Sequence, residues 1–144
     1  MIISEHDLIF AMGDNHAGQL GLSPAEARRK ANPTLIESLQ KVNKVLSVHA
    51  GGDNSYAITC GSQEDMNSLY SWGSHKSGLL GKDIQTIEDP YHVPSKVVFD
   101  DQEELKISKF SSSASHCVLL SSDDNKVFVW GDNSKGQLGL NHLN

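Results

Sequence analysis

Glycine returns at the same three places in three separated stretches of this chain, and no other feature limits its folding as tightly. Gly13, Gly18 and Gly21 set the spacing. Gly73, Gly78 and Gly81 repeat it 60 positions on, and Gly131, Gly136 and Gly139 repeat it after a further 58. A second block recurs between them: Ala50-Gly51-Gly52-Asp53-Asn54-Ser55 is matched by Ser112-Ser113-Ala114-Ser115-His116-Cys117, offset by 62 positions. Pro33 and Pro94 correspond as well, 20 and 21 residues beyond their glycines. These matches predict one domain over 1-144, with units at about 8-68 and 69-126 and a third begun at 127-144.

The residues before each first glycine read as strands. Val127-Phe128-Val129-Trp130 is apolar throughout and β-branched or aromatic, and Leu69-Tyr70-Ser71-Trp72 and the run from Leu8 to Met12 fill the same places. A sandwich strand alternates apolar with polar, whereas a propeller blade is packed on both sides, so both of its faces stay apolar. Period-two geometry points Trp72, Trp130 and Met12 one way and Ser71, Val129 and Ala11 the other. Further strands are expected at 45–50, 56–59, 107–110 and 116–120, about four per unit. The expected fold is all-β, a partial β-propeller of four-stranded antiparallel blades. Ser23-Pro24-Ala25-Glu26 carries an N-cap, a first-turn proline and a capping-box glutamate, which predicts one short helix in an insertion near 24-31. In 34–42, Leu35, Leu39 and Val42 have helical spacing, but the match to Pro94-Ser95-Lys96-Val97 predicts a strand there.

Charge narrows the function. Lys+Arg 12 against Asp+Glu 18 leaves a net charge of −6, and the acidic run from Asp100 to Glu104 repels phosphate, so no direct nucleic-acid partner is expected. Met1-Ile2-Ile3 is interrupted by Glu5, His6 and Asp7 before a signal core or membrane span develops, so no membrane partner is expected either. Cys60 and Cys117 lie far apart without zinc spacing and read as reduced, buried thiols. With no leader they predict an intracellular, cytoplasmic or nuclear protein. The seven histidines, His6, His16, His49, His75, His92, His116 and His142, lack paired ligand spacing, so no metal site is expected. His116, in a repeated turn, is expected to brace the backbone through a ring nitrogen. Gly131 with Gly136 match the outer glycines of a phosphate-binding loop, but Gln137-Leu138 stand where lysine and Ser/Thr are needed. No cofactor and no covalent catalysis are expected, because no Gly-x-Ser-x-Gly elbow is present and Ser111, Ser112 and Ser113 have no base partner.

Trp130 to Leu140, Trp-Gly-Asp-Asn-x-x-Gly-Gln-Leu-Gly-Leu, resembles the signature of the regulator of chromosome condensation repeats. The block from Ala50 to Ser55 is similar to that family's Ala-Gly-Gly-x-His-Ser, with Asn54 for histidine; its second copy keeps His116 but has Ser113 for a glycine. Met12 departs from tryptophan and Leu79 from glutamine. The resemblance implies a seven-bladed propeller, on the order of 400 residues at about sixty per blade, and uses in protein scaffolding, chromatin docking and guanine-nucleotide exchange on the small GTPase Ran. It marks Gly13, Gly18, Gly21, Gly51, Trp72, Gly73, Gly78, Gly81, His116, Trp130, Gly131, Gly136 and Gly139 as structural repeat positions. The expected function is protein binding through blade faces and loops, with exchange on a Ran-like GTPase as the alternative. Because two units and part of a third do not close a ring, the sequence reads as a truncated or partial product, and self-association or completion by further blades is expected.

Overall fold

The computed structural model describes residues 1–82, 90–123 and 125–142. Residues 83–89 and 124 of the second unit and 143–144 of the third lie outside the described residues. Extended, β-branched and aromatic runs separated by glycine turns form three antiparallel sheets. Sheet 1 holds β1 (Ile2–Ile3), β2 (Ile9–Asp14) and β3 (Arg29–Leu35) in that order. Sheet 2 holds β4 (Val45–Gly51), β5 (Asn54–Cys60), β6 (Asn67–Gly73) and β7 (Ser95–Lys96). Sheet 3 holds β8 (Ile107–Ser112), β9 (His116–Ser121) and β10 (Val127–Gly131). Among the described residues only sheet 2 reaches four strands, and sheets 1 and 3 have three.

The sheets stack, with a core in each seam. Between sheets 1 and 2 lie Ile9, Ala11, Leu20, Val45, Ala57 and Trp72; between sheets 2 and 3 lie Tyr56, Ile58, Leu69, Phe99, Cys117 and Leu119. Sheet 2 is therefore buried on both faces, and six successive residues of β5, from Asn54 to Thr59, are buried. Sheet 3 is covered on one face, so β9 alternates buried Cys117, Leu119 and Ser121 with half-buried Val118 and Leu120. The expectation of two apolar, buried faces thus holds for the middle sheet only.

A single hydrogen-bonding device recurs in both seams. The Gln19 carbonyl in the loop of sheet 1 accepts the Trp72 indole N–H at 3.0 Å and the Ser55 hydroxyl at 2.7 Å, both from sheet 2. Sixty positions on, the Leu79 carbonyl accepts the Trp130 indole N–H from sheet 3 at 3.1 Å and the Tyr56 hydroxyl at 2.8 Å. Tryptophan at this repeat position both fills the seam and ties one sheet to the loop of its neighbour.

The short helix expected near 24-31 is not formed. The amides of Glu26 and Ala27 turn back to the Ser23 carbonyl, but the chain goes no further as helix. Asn15 captures the next carbonyls: its side-chain amide donates to Ala27 O at 2.7 Å and its backbone N–H to Arg28 O at 2.8 Å. Arg29 then pairs with Asp14, and β3 begins. Strand pairing satisfies the backbone groups that a helix would have used, so tertiary context overrides the capping signal. In 34–42 both readings are realised in part. Thr34 and Leu35 pair with Ala11 and Phe10, as Ser95 and Lys96 pair with Ser71 and Tyr70, and a 3-10 turn follows at Glu37–Leu39.

Candidate functional site: a loop face spanning two sheets

The repeated glycine loops and the 51–54 and 113–116 turns gather at one end of the stack. At Gly73, with φ +109, a Cβ would sit 2.4 Å from the Asp53 carbonyl, so a side chain is excluded by both backbone conformation and contact. At Gly51 it would sit 2.5 Å from the Ser113 carbonyl, which brings the equivalent turns of sheets 2 and 3 together. Asn54 donates to the Ser74 carbonyl at 2.6 Å. At the equivalent place the His116 Nδ1 lies 3.1 Å from Ser113 Oγ and 3.2 Å from Ser115 Oγ, beside the turn it follows. Gly13, Gly18 and Gly21, then Gly78 and Gly81, then Gly131, Gly136 and Gly139 belong to the three loops and all have positive φ.

Within this face a cleft of about 420 Å³ crosses the seam between sheets 1 and 2, lined by His16, Asp53, Ser74, His75, Tyr91 and His92. His16 comes from the first loop, Asp53 from the β4–β5 turn, and the others from the chain around and after the second loop. The His16 ring is held between two carboxylates, Nδ1 at 2.5 Å from Asp14 and Nε2 at 3.3 Å from Asp53, all three about half exposed. The hydrogen bond to Asp14, followed by the charge of Asp53, raises the His16 pKa above its ordinary value, and the same hydrogen bond lowers that of Asp14. His75 and Tyr91 stack with ring centres 4.2 Å apart. The Gly73 amide donates to the Tyr91 carbonyl at 2.9 Å, which fixes this segment against the second loop.

Among the described residues no group of three His, Cys, Asp or Glu side chains is placed to hold a metal ion, and no helix is long and apolar enough to cross a membrane. Ser74 Oγ accepts the Lys76 amide. The cleft offers an aromatic face, imidazoles and the Asp53 carboxylate to a ligand surface. Cys117 is buried, its thiol raised to about 11 by burial, while Cys60 is only partly buried, contrary to the expectation for both. Sequence reasoning did not bring His16, Asp53, His75, Tyr91 and His92 together. The signal that could have done so was the repeat itself, which places the first loop and the 51–54 turn at one end of adjacent sheets.

With this geometry in hand, comparison with known proteins settles the family. The model of the regulator of chromosome condensation (RCC1) repeat matches residues 6–58 and 67–120, and a second model of that repeat matches 107–137. This chain belongs to the regulator of chromosome condensation repeat family. It is 32% identical to the mouse X-linked retinitis pigmentosa GTPase regulator over 139 residues, covering 96% of this chain and 13% of the relative. It is also 32% identical to the mouse regulator of chromosome condensation over 139 residues, covering 95% of this chain and 30% of that one. Among solved structures, Saccharomyces cerevisiae Prp20p superposes with a TM-score of 0.69 at 24% identity, over 92% of this chain and 30% of its own; human WBSCR16 gives 0.72 at 24%, over 98% and 34%. The chain thus spans about a third or less of these relatives. The fold is that of the family's propellers, and the repeated positions marked by the resemblance fall in its strands and loops.

Proposed function

We propose that this chain is a protein-interaction module that engages a protein partner through the loop face, with the cleft between sheets 1 and 2 at its centre. The observation that carries this reading is the convergence on one cleft of residues from separate segments, His16, Asp53, His75, Tyr91 and His92, which are aromatic or ionisable and are not part of either core. Groups of that kind on rigidly held loops are where binding residues concentrate. A chain of net charge −6 presents this face to a protein surface better than to a nucleic-acid backbone. Its location is then intracellular, cytoplasmic or nuclear, with its partners.

A second reading is exchange or regulation on a Ran-like small GTPase. It is favoured by the relatives, one of which is a GTPase regulator by name, while Prp20p is described with binding properties to Gsp1p and histones. Exchange requires no reactive side chain, only tighter binding of the nucleotide-free GTPase than of the loaded form. One experiment separates the two: release of labelled GDP from Ran, alongside binding of Ran to the immobilised chain. Accelerated release supports exchange. Binding without acceleration, weakened by Tyr91→Ala at unchanged melting temperature, supports the interaction module. Binding unaffected by Tyr91→Ala, His75→Ala and Asp53→Lys would remove the cleft from either account.

A further inference from the structure

The two outermost sheet faces carry the two halves of a seam that the molecule already builds twice. On sheet 3, register pairs Val118 with Val129 and Leu120 with Val127, and these four side chains point away from sheet 2, since Cys117 and Leu119 point into its seam. By the repeat they stand where Tyr56, Leu69 and Ile58 of sheet 2 stand, together with Ser71, and that face of sheet 2 is the one covered by sheet 3. On sheet 1, Ile2, Phe10 and Leu35 share a face by register; Ile9 and Ala11 point the other way, into the first core, and Met12, at the irregularity in the β2–β3 pairing, is exposed on the side away from Ala11. Phe10 and Met12 stand where Tyr70 and Trp72 face sheet 1, and where Phe128 and Trp130 face sheet 2. Val127 is 59% exposed, Met12 51% and Ile2 49%, large values for apolar side chains in strands.

We propose that the outer face of sheet 3 on one copy of this chain docks against the outer face of sheet 1 on a second copy, head to tail, repeating the seam found between its own sheets. The occupant is a second copy because one chain carries both complementary surfaces, each related by the repeat to a surface already paired inside the molecule. Such a contact is heterologous: the two surfaces differ, so after pairing one copy keeps its sheet 1 face free and the other its sheet 3 face. Met12 takes the tryptophan position in this seam and has no N–H to donate, so the carbonyl of Gln137, equivalent to those of Gln19 and Leu79, lacks its indole partner.

The test is sedimentation of the full chain and of two variants at these exposed positions, Met12→Asp and Val127→Asp. Wild type is expected to associate with rising concentration. Each variant alone is expected to lose association by about tenfold or more, since a charge in an apolar seam is costly. Mixing the two variants is expected to restore a single dimer and nothing larger, because each still carries the surface the other has lost. Met12→Trp is expected to tighten association by supplying the missing donor. A wild-type chain that stays monomeric at every concentration, as it would if only a repeat from a different protein fits the face, overturns the proposal. So does association that survives both aspartates, or variants that fail to complement each other.

Discussion

In the seam between sheets 1 and 2 the loop carbonyl belongs to Gln19 and its hydroxyl partner is Ser55, while the indole of Trp72 is fully buried. In the seam between sheets 2 and 3 the carbonyl belongs to Leu79, Cys117 stands where serine stood, and the indole of Trp130 is only partly buried. The carbonyl nevertheless receives two donors again, because the Tyr56 hydroxyl reaches it and the Cys117 thiol bonds to Tyr56 Oη at 3.2 Å. What the repeat preserves is a satisfied buried carbonyl and not a particular residue around it. The packing differs in the same way. The first core is aliphatic around one indole, whereas the second is aromatic, with Phe99 tilted on Phe128 and on Trp130 and with Phe110 stacked on Trp130 at 6.0 Å. At the loop end of the stack, among the described residues, the ionic clasp from Asp14 to His16 to Asp53 belongs to the first seam. Ser74, Lys76 and Ser115 stand at those places in the second.

The largest effect that would break this comparison comes from the tryptophans. Trp72→Ala should cost about 3–5 kcal/mol in urea denaturation, the range for a large buried aromatic, and Trp130→Ala roughly half as much. Equal losses would mean that the two seams do not differ in depth. Next come the first glycines of the loops. Gly73→Ala should cost about 3 kcal/mol or more, since it adds a backbone clash to the strain of positive φ, whereas Gly13→Ala, whose Cβ meets nothing within 4 Å, should cost only the strain, about 1–2 kcal/mol. A Gly13→Ala variant as unstable as Gly73→Ala would contradict the asymmetry.

Such asymmetry marks the limit of what the sequence could show. The glycine register, the strand positions and the opposed directions of Trp72 and Ser71 were legible because each follows from a period of two or of about sixty. The fate of 24-31 was not, since the Ser-Pro-Ala-Glu signal is local and the Asn15 side chain that overrides it arrives from the loop before. Nor was the covering of sheet faces, because Val129 and Leu69 read alike as strand residues and differ only in whether another sheet lies against them. The cleft was hidden for a related reason: His16 and Asp53 meet across a seam, and neither belongs to the repeat signature.

Smaller effects sharpen the comparison. Tyr56→Phe should destabilise by about 1–2 kcal/mol, because it removes a donor to the carbonyl of buried Leu79 and strands the Cys117 thiol, whereas Ser55→Ala, whose acceptor residue Gln19 is only half-buried, should cost about 1 kcal/mol or less. A Tyr56→Phe protein as stable as wild type would show that the second carbonyl needs only the indole. The smallest effect is pH-dependent and confined to the first seam. The pKa of His16 is raised in the folded protein above its ordinary 6.5, so its contribution is complete below that value and is lost as pH rises through the folded pKa. That of Asp14 is lowered from 3.8, so its contribution is lost only as pH falls through the depressed value. The melting-temperature gap between wild type and His16→Gln should therefore be widest between those limits and close on the alkaline side, and it should shrink with salt. A gap that is constant with pH would place no stabilising proton on His16.

The chain has two tryptophans, so two indole N–H signals report the two seams directly. Hydrogen exchange followed by NMR tests whether each indole is bonded across its seam. Both protons should exchange far more slowly than a free indole, and that of Trp72 more slowly than that of Trp130. Exchange of either proton at the free rate, or stronger protection at Trp130 than at Trp72, would contradict the account of sheets joined by one repeated indole-to-carbonyl bond.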